Sequence, residues 1–126
     1  MKVLIIEDNK DSMYLLELVV CTILKHDCYK AHSLTIGKCI LMNSRPDLIL
    51  LDWKLGQEGN ASEIVDIAKS FYTPEPHVII ISGVDQLENI ANELNVDYLC
   101  KPFKINSLEE KINKINLMLN QKWSAS

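Results

Sequence analysis

The sequence predicts an α/β fold in which a five-stranded parallel sheet is doubly wound by helices on both faces. Short apolar runs of strand length alternate five times with longer stretches of helical period, the pattern that βαβ units leave in a chain. Two of the runs, Leu48 to Leu51 and Val78 to Ile81, are aliphatic without interruption, as strands covered on both faces must be. Breakers fall between the elements: Arg45-Pro46, Gly56 to Asn60, Thr73-Pro74-Glu75-Pro76 and Lys101-Pro102. A helix bundle would have to stretch both aliphatic runs into helices of about ten residues or more across these breakers.

The strands are expected at Lys2 to Ile6, Tyr29 to His32, Leu48 to Leu51, Val78 to Ile81 and Val96 to Cys100. Leu16, Val19, Val20, Ile23 and Leu24 recur at helical spacing between the first two. The next helices follow from Ile36, Ile40 and Leu41, from Ile64, Ile67, Ala68 and Phe71, and from Leu87, Ile90, Ala91 and Leu94. The last carries Ile105, Leu108, Ile112, Ile115 and Leu119, with Ser107 and Glu110, or Asn106 and Glu109, as a capping box. Leu117 and Met118 lie off that stripe and hint at a contact surface. Right-handed crossovers between parallel strands make the doubly wound sheet the natural closed solution. One domain over residues 1–121 and a short tail over 122–126 account for the whole chain.

Thirteen Lys and Arg against 17 Asp and Glu leave a net charge of −4 over 126 residues, a size at which one core suffices without metal or disulfide staples. The acidic balance and the lack of a basic cluster argue against direct nucleic-acid binding. No apolar run approaches the roughly 20 residues of a membrane span, and Glu7-Asp8 cut short anything resembling a signal peptide. A cytoplasmic protein without membrane contact is expected. Cys21, Cys28, Cys39 and Cys100 show no metal-ligand spacing, nor do His26, His32 and His77, so the cysteines read as reduced packing residues.

In an open α/β sheet the site lies beyond the carboxyl ends of the strands. There the first strand runs into Glu7-Asp8, the third into Asp52, the fourth into Ser82-Gly83 and the fifth into Lys101-Pro102-Phe103. Three crowded carboxylates repel unless a proton or cation sits among them, and an oxygen-rich cluster suits a hard ion such as Mg²⁺. Asp52, at the mouth of a buried central strand, is the candidate nucleophile toward a phosphoryl group. Glu7 and Asp8 would hold the ion, directly or through water. Ser82 would donate a hydrogen bond to a phosphoryl oxygen, and Lys101 would neutralise another.

Four segments in order carry a resemblance over essentially the whole chain: Leu4-Ile5-Ile6-Glu7-Asp8-Asn9, Leu48-Ile49-Leu50-Leu51-Asp52, Ile79-Ile80-Ile81-Ser82-Gly83 and Asp97-Tyr98-Leu99-Cys100-Lys101-Pro102-Phe103. The chain resembles a response-regulator receiver domain of two-component signalling. The resemblance implies a CheY-like, flavodoxin-like sheet of strand order 2-1-3-4-5. It implies transfer of a phosphoryl group from a histidine kinase or histidine phosphotransfer domain onto Asp52, with Mg²⁺ (or Mn²⁺) held by Glu7, Asp8, Asp52 and the Trp53 main-chain carbonyl. Such a domain catalyses its own phosphorylation and dephosphorylation and turns over no separate substrate. It implies a cis Lys101-Pro102 bond and a switch through Ser82 and Tyr98, read on the fourth helix, fifth strand and fifth helix by a downstream protein or in a homodimer formed on phosphorylation. Glu7 and Ser82 stand where Asp and Thr are commoner. Gly56 stands where the family usually has proline, and Asn60 and Asn95 where it usually has glycine. Asn95 suits its place, because Asn is next best to Gly in the left-handed conformation at a helix end.

Plainer readings stand beside these. Glu7 and Asp8 could be solvated acids or a helix cap, Ser82 a turn hydroxyl, Tyr98 a half-buried strand aromatic and Trp53 packing or rim cover; Lys54 is either an exposed loop charge or a partner of Glu7. Among other classes, a phosphatase of the haloacid-dehalogenase type would need an acid where Lys54 stands. A flavodoxin-like electron carrier would need a phosphate-binding loop after the first strand. A pseudo-receiver that only binds would have lost an acid or the lysine. The chain is expected to be either a stand-alone receiver or a piece of a longer regulator or hybrid kinase.

Overall fold

The first strand, β1 (Lys2–Ile6), is buried completely from Val3 onward and lies inside a sheet whose order is β2-β1-β3-β4-β5, every adjacent pair parallel. The computed structural model describes residues 1–54 and 61–124. The remaining strands are β2 (Asp27–Ala31), β3 (Leu48–Asp52), β4 (His77–Ser82) and β5 (Asp97–Cys100). The helices are α1 (Lys10–Glu17), which continues as a π-helical turn over Leu18–Ile23, α2 (Leu34–Ser44), α3 (Ser62–Phe71), α4 (Leu87–Leu94) and α5 (Ile105–Ser124). The expected fold class and strand order are those observed. β2 starts two residues earlier than its apolar pattern, because Asp27 pairs with Lys2 at an edge where side chains need not be apolar.

Alternation along the strands divides the core in two. Leu4, Ile6, Ile49, Leu51, Val78 and Ile80 face α2, α3 and α4, while Val3, Ile5, Leu48, Leu50, Ile79 and Ile81 face α1 and α5. Each such Leu or Ile stabilises the fold by about 1.5–3 kcal/mol through removal from water, and the buried stretches Leu48 to Leu51 of β3 and Val78 to Ile81 of β4 carry no polar residue before Asp52 and Ser82.

Several expected core positions turn outward. Ile23 is 46% exposed, since the π-helical turn, closed by Leu24 N–H on the Val19 carbonyl, rotates the chain off a 3.6-residue period. Ile36 and Phe71 are also exposed. The buried row of α2 is Leu34, Gly37 and Leu41, a stripe whose centre has no side chain for an apolar pattern to detect. A Cβ on Gly37 would fall 2.6 Å from Ile6 Cδ1, so the glycine is what lets α2 approach β1. Neither expected capping box caps α5. Helix bonding starts at the Lys104 carbonyl, which accepts from Ser107 and Leu108 N–H and places Asn106 and Ser107 inside the helix. Leu117 and Met118 are exposed on α5, as expected of side chains off the core stripe.

The cysteine reading also changes. Cys21 and Cys28 are joined as a disulfide across the turn between the π-helical segment and β2, where their Cα atoms come within 6.2 Å; Cys39 and Cys100 are free and exposed. Seven residues of separation carried no recognisable spacing, and the turn that closes them is not visible in hydropathy. Asn95 adopts the left-handed conformation at the end of α4 with φ 55°, and the Lys101-Pro102 bond is cis; so is Thr73-Pro74. Among the described residues no helix is long and apolar enough to cross a membrane.

Candidate phosphoryl-accepting acid site

Three carboxylates meet at the carboxyl end of the sheet because three pieces of backbone deliver them. Glu7 leaves β1 with its N–H bonded to the Ala31 carbonyl at the end of β2, so its chain runs straight on and its side chain is fully buried. Asn9, not Glu7 or Asp8, caps α1: its side-chain oxygen accepts from Ser12 N–H at 2.9 Å. Both acids are thereby left for other work, Asp8 remaining exposed. Asp52 ends β3 and is 8% exposed. One carboxylate oxygen from each of Glu7, Asp8 and Asp52 lies within 4.8 Å of the others.

Lys101 enters from the end of β5, its backbone fixed by an N–H bond to the Ser82 carbonyl. Its ammonium donates to Glu7 Oε1 at 2.6 Å and lies 3.9 Å from Asp52 Oδ2. Glu7 is therefore paired with Lys101. Lys54 does not take that place; it contributes its backbone N–H to Asp52 Oδ1 at 3.0 Å, a contact that no side-chain pattern announces. Trp53 follows Asp52 with its N–H on the Ile81 carbonyl. Ser82, almost fully buried, accepts at Oγ from Val84 N–H. Ser82 pairs in register with Cys100 and Ile80 with Tyr98, so Ser82 and Tyr98 share one face of neighbouring strands two positions apart. The sheet brings Glu7, Asp8, Asp52 and Lys101 into one cluster, with Ser82 on the adjoining strand end; half-buried Tyr98 lies further down β5, outside the cluster. The atypical loop residues at Gly56 and Asn60 lie outside the described residues.

The electrostatics follow from crowding in a dry site. Burial, then the hydrogen bond and negative charge of Glu7, push the Asp52 carboxyl up to about 7, against the opposing pull of Lys54 N–H and the Lys101 charge. Burial acts on Glu7 in the same direction, but its hydrogen bonds with Asp52 and Lys101, the Lys101 charge and the Asn9 N–H together outweigh it and hold Glu7 below the usual carboxylate range. Glu7 is thus the ion of the pair, and near neutrality Asp52 is poised to keep a proton. Glu7 Oε2 is buried with no donor group beside it among the described residues. A proton shared with the adjacent Asp52 carboxyl, or a cation, would satisfy that oxygen, and hard oxygen donors of this number and spacing fit a divalent ion.

A parallel α/β sheet with a cluster of acids, two of them buried, and a lysine paired to it at the carboxyl ends defines a protein built to place a cation and an anionic group together. The chain belongs to the response regulator receiver domain family, whose model matches residues 3–113. It is 35% identical over 75 residues, 59% of its length, to the sensory transduction protein LytT of Bacillus cereus, covering 30% of that protein. It is 22% identical over 117 residues to the phosphate regulon transcriptional regulatory protein PhoB of Pseudomonas aeruginosa, covering 90% of this chain and 51% of that one. The chain thus spans about half or less of the length of these curated relatives. A solved response regulator receiver domain protein from Clostridium thermocellum superimposes with a TM-score of 0.80 at 26% identity, over 99% of this chain and 98% of that one. The protein is a receiver domain of a two-component response regulator. Receiver domains in general accept a phosphoryl group, bind Mg²⁺ at an acidic pocket and work with a histidine kinase or phosphotransfer partner.

Proposed function

We propose that Asp52 is the phosphoacceptor, taking its phosphoryl group from the phosphohistidine of a sensor kinase or histidine phosphotransfer domain. The observation that carries this reading is the placement of Asp52 beside the buried Glu7–Lys101 pair, with the Lys101 ammonium 3.9 Å from its carboxylate, at the mouth of the sheet. An Asp52 oxygen attacks phosphorus, the P–N bond breaks, and the imidazole leaves with the bonding pair and takes up a proton. Glu7, Asp8, Asp52 and the Trp53 carbonyl would hold Mg²⁺, or Mn²⁺ in its place, which would supply the positive charge that an anionic group needs to approach three acids.

The chain's own residues do the rest. Lys101 already lies within reach of Asp52 and would turn from Glu7 toward a phosphoryl oxygen. The Lys54 N–H holds Asp52 in orientation. Ser82 accepts at present from Val84 N–H, and its hydroxyl hydrogen can be donated to a phosphoryl oxygen; that charge-assisted bond would draw it toward Asp52 and leave room for Tyr98 on the same face. The output surface is then α4, β5 and α5, read by a downstream protein or by a second copy on phosphorylation. Inactive and active arrangements need differ by only about a few kcal/mol for such contacts to shift the population. Residues 1–121 carry this function in the cytoplasm; the expected tail at 122–126 is helical as far as Ser124, where α5 ends.

The test is incubation with a small acyl or amido phosphate and Mg²⁺ followed by intact-mass measurement. One added phosphoryl group, absent in Asp52→Asn and in chelator, is expected. A labelled Asp52→Asn protein, or full labelling in chelator, refutes the reading.

A further inference from the structure

Tyr98 is held from the opposite face of the sheet. On β5, Leu99 packs into the core with α1 and α5, whereas Tyr98 packs against the core with α2, α3 and α4. β5 is the last strand of the sheet. Lys111, on α5, reaches round that edge: its ammonium lies 2.9 Å from Asp97 Oδ1 and 5.7 Å from the centroid of the Tyr98 ring. The same Asp97 Oδ1 accepts the Tyr98 backbone N–H at 2.7 Å. One carboxylate oxygen therefore holds both the backbone of Tyr98 and the cation that covers its ring.

As an ion pair this contact contributes little, because the Lys111 and Asp97 side chains are 30% and 46% exposed. Its distinctive property is position. A ring that rotates inward on its strand leaves the cation behind, so the contact belongs to one ring pose and not to the other. The cleft beside the pair, about 580 Å³ and lined by Lys69, Val96, Asp97, Lys111 and Ile115 among others, gives the released ammonium room to move.

We propose that Lys111, anchored by Asp97, is a positioning residue that straps Tyr98 in its unswitched pose and so sets how much phosphoryl signal is needed to turn it. This rests on the reading of Tyr98 as the group that moves. An exposed cation–π contact of this kind biases a two-state ring roughly two- to fivefold. The strap is a threshold, and the Asp52 chemistry is untouched by it.

The test uses the chain labelled with 3-fluorotyrosine. The four tyrosine resonances, that of Tyr98 assigned by its loss in Tyr98→Phe, are followed by ¹⁹F NMR during titration with beryllofluoride in saturating Mg²⁺. In Lys111→Met, which keeps the aliphatic stem, the Tyr98 resonance is expected to start displaced toward its switched position and to reach half-conversion at a roughly two- to fivefold lower concentration. Lys111→Arg should restore the original midpoint. Asp97→Asn keeps the acceptor for Tyr98 N–H while removing the charge that anchors Lys111, and should lower the midpoint part way. A responsive parent resonance with an unchanged midpoint in Lys111→Met, or a lowered melting temperature without a midpoint shift, overturns the strap while leaving Tyr98 as the moving group. A parent resonance that ignores beryllofluoride overturns the reading of Tyr98 and the strap with it.

Discussion

Replacing Asp52 by Asn should stabilise the metal-free protein, and by an amount that depends on pH. The Asp52 carboxyl sits at about 7 in the fold against an ordinary value of 3.8. Between those two values the folded state holds a proton that the unfolded chain has released, so stability falls as pH rises through the window. About three pKa units correspond to about 4 kcal/mol at most. Glu7 works in the other direction, but its lowered pKa adds stability mainly below pH 4.5, outside the window in which Asp52 titrates. About half of the ceiling, roughly 2 kcal/mol, is the working expectation for the Asp52 effect between pH 4.5 and pH 8. Asn has no titratable proton to lose, and its amide can donate to the neighbouring Glu7 carboxylate, whose Oε2 has no donor beside it among the described residues. Urea unfolding in chelator at the two pH values gives the comparison directly. Asp52→Asn should exceed the parent by about 2 kcal/mol at pH 8 and approach it at pH 4.5, and Mg²⁺ should close the gap by stabilising the parent more. A difference that is flat in pH, or a variant less stable at pH 8, would show that the crowding of Glu7 and Asp52 is not the source of strain.

Lys101→Ala leaves the buried Glu7 carboxylate without its cation and is expected to cost about 2–3 kcal/mol in chelator, less than a fully buried pair because Lys101 is partly exposed. The same variant should lose most phosphorylation-driven change while Mg²⁺ affinity, followed by Trp53 fluorescence, is kept or raised; loss of Mg²⁺ binding would place the lysine in the metal site. Gly37→Ala gains about 1 kcal/mol of helix propensity but forces a Cβ to within 2.6 Å of buried Ile6 Cδ1, an overpacking of about 1–3 kcal/mol. A lower melting temperature is expected, and a higher one would mean that Ile6 moves aside without cost.

The acid site was legible because strand ends are marked twice, by the end of an aliphatic run and by the polar residue that follows it. Asp52 and Ser82 sit directly after such runs, and Lys101 before a proline. Contacts made by backbone were not legible: any residue at position 54 could offer its N–H to Asp52. Nor could the sequence assign Lys101 to Glu7, a choice made by the spacing of β1 and β5 across two intervening strands. Helix faces were read least well where the helix departs from its ideal period, as at Ile23, or where packing depends on an absent side chain, as at Gly37. The Cys21–Cys28 pair belongs to the same group, since a turn and not a spacing motif closes it.

The two strands at the rims of the sheet bear on how other molecules can attach. A bare rim offers a row of backbone N–H and carbonyl groups to any extended peptide, and charged side chains on a short strand discourage such addition. β2 carries exposed Asp27 and Lys30, and the four-residue β5 begins with exposed Asp97, over which Lys111 is folded. Lengthening the sheet by a foreign strand at β5 would require that lysine to be displaced. A partner that docked at this rim would therefore have to do so by side-chain complementarity and not by strand addition. Its selectivity would then lie in replaceable side chains, free to diverge without disturbing the backbone that carries the acid site.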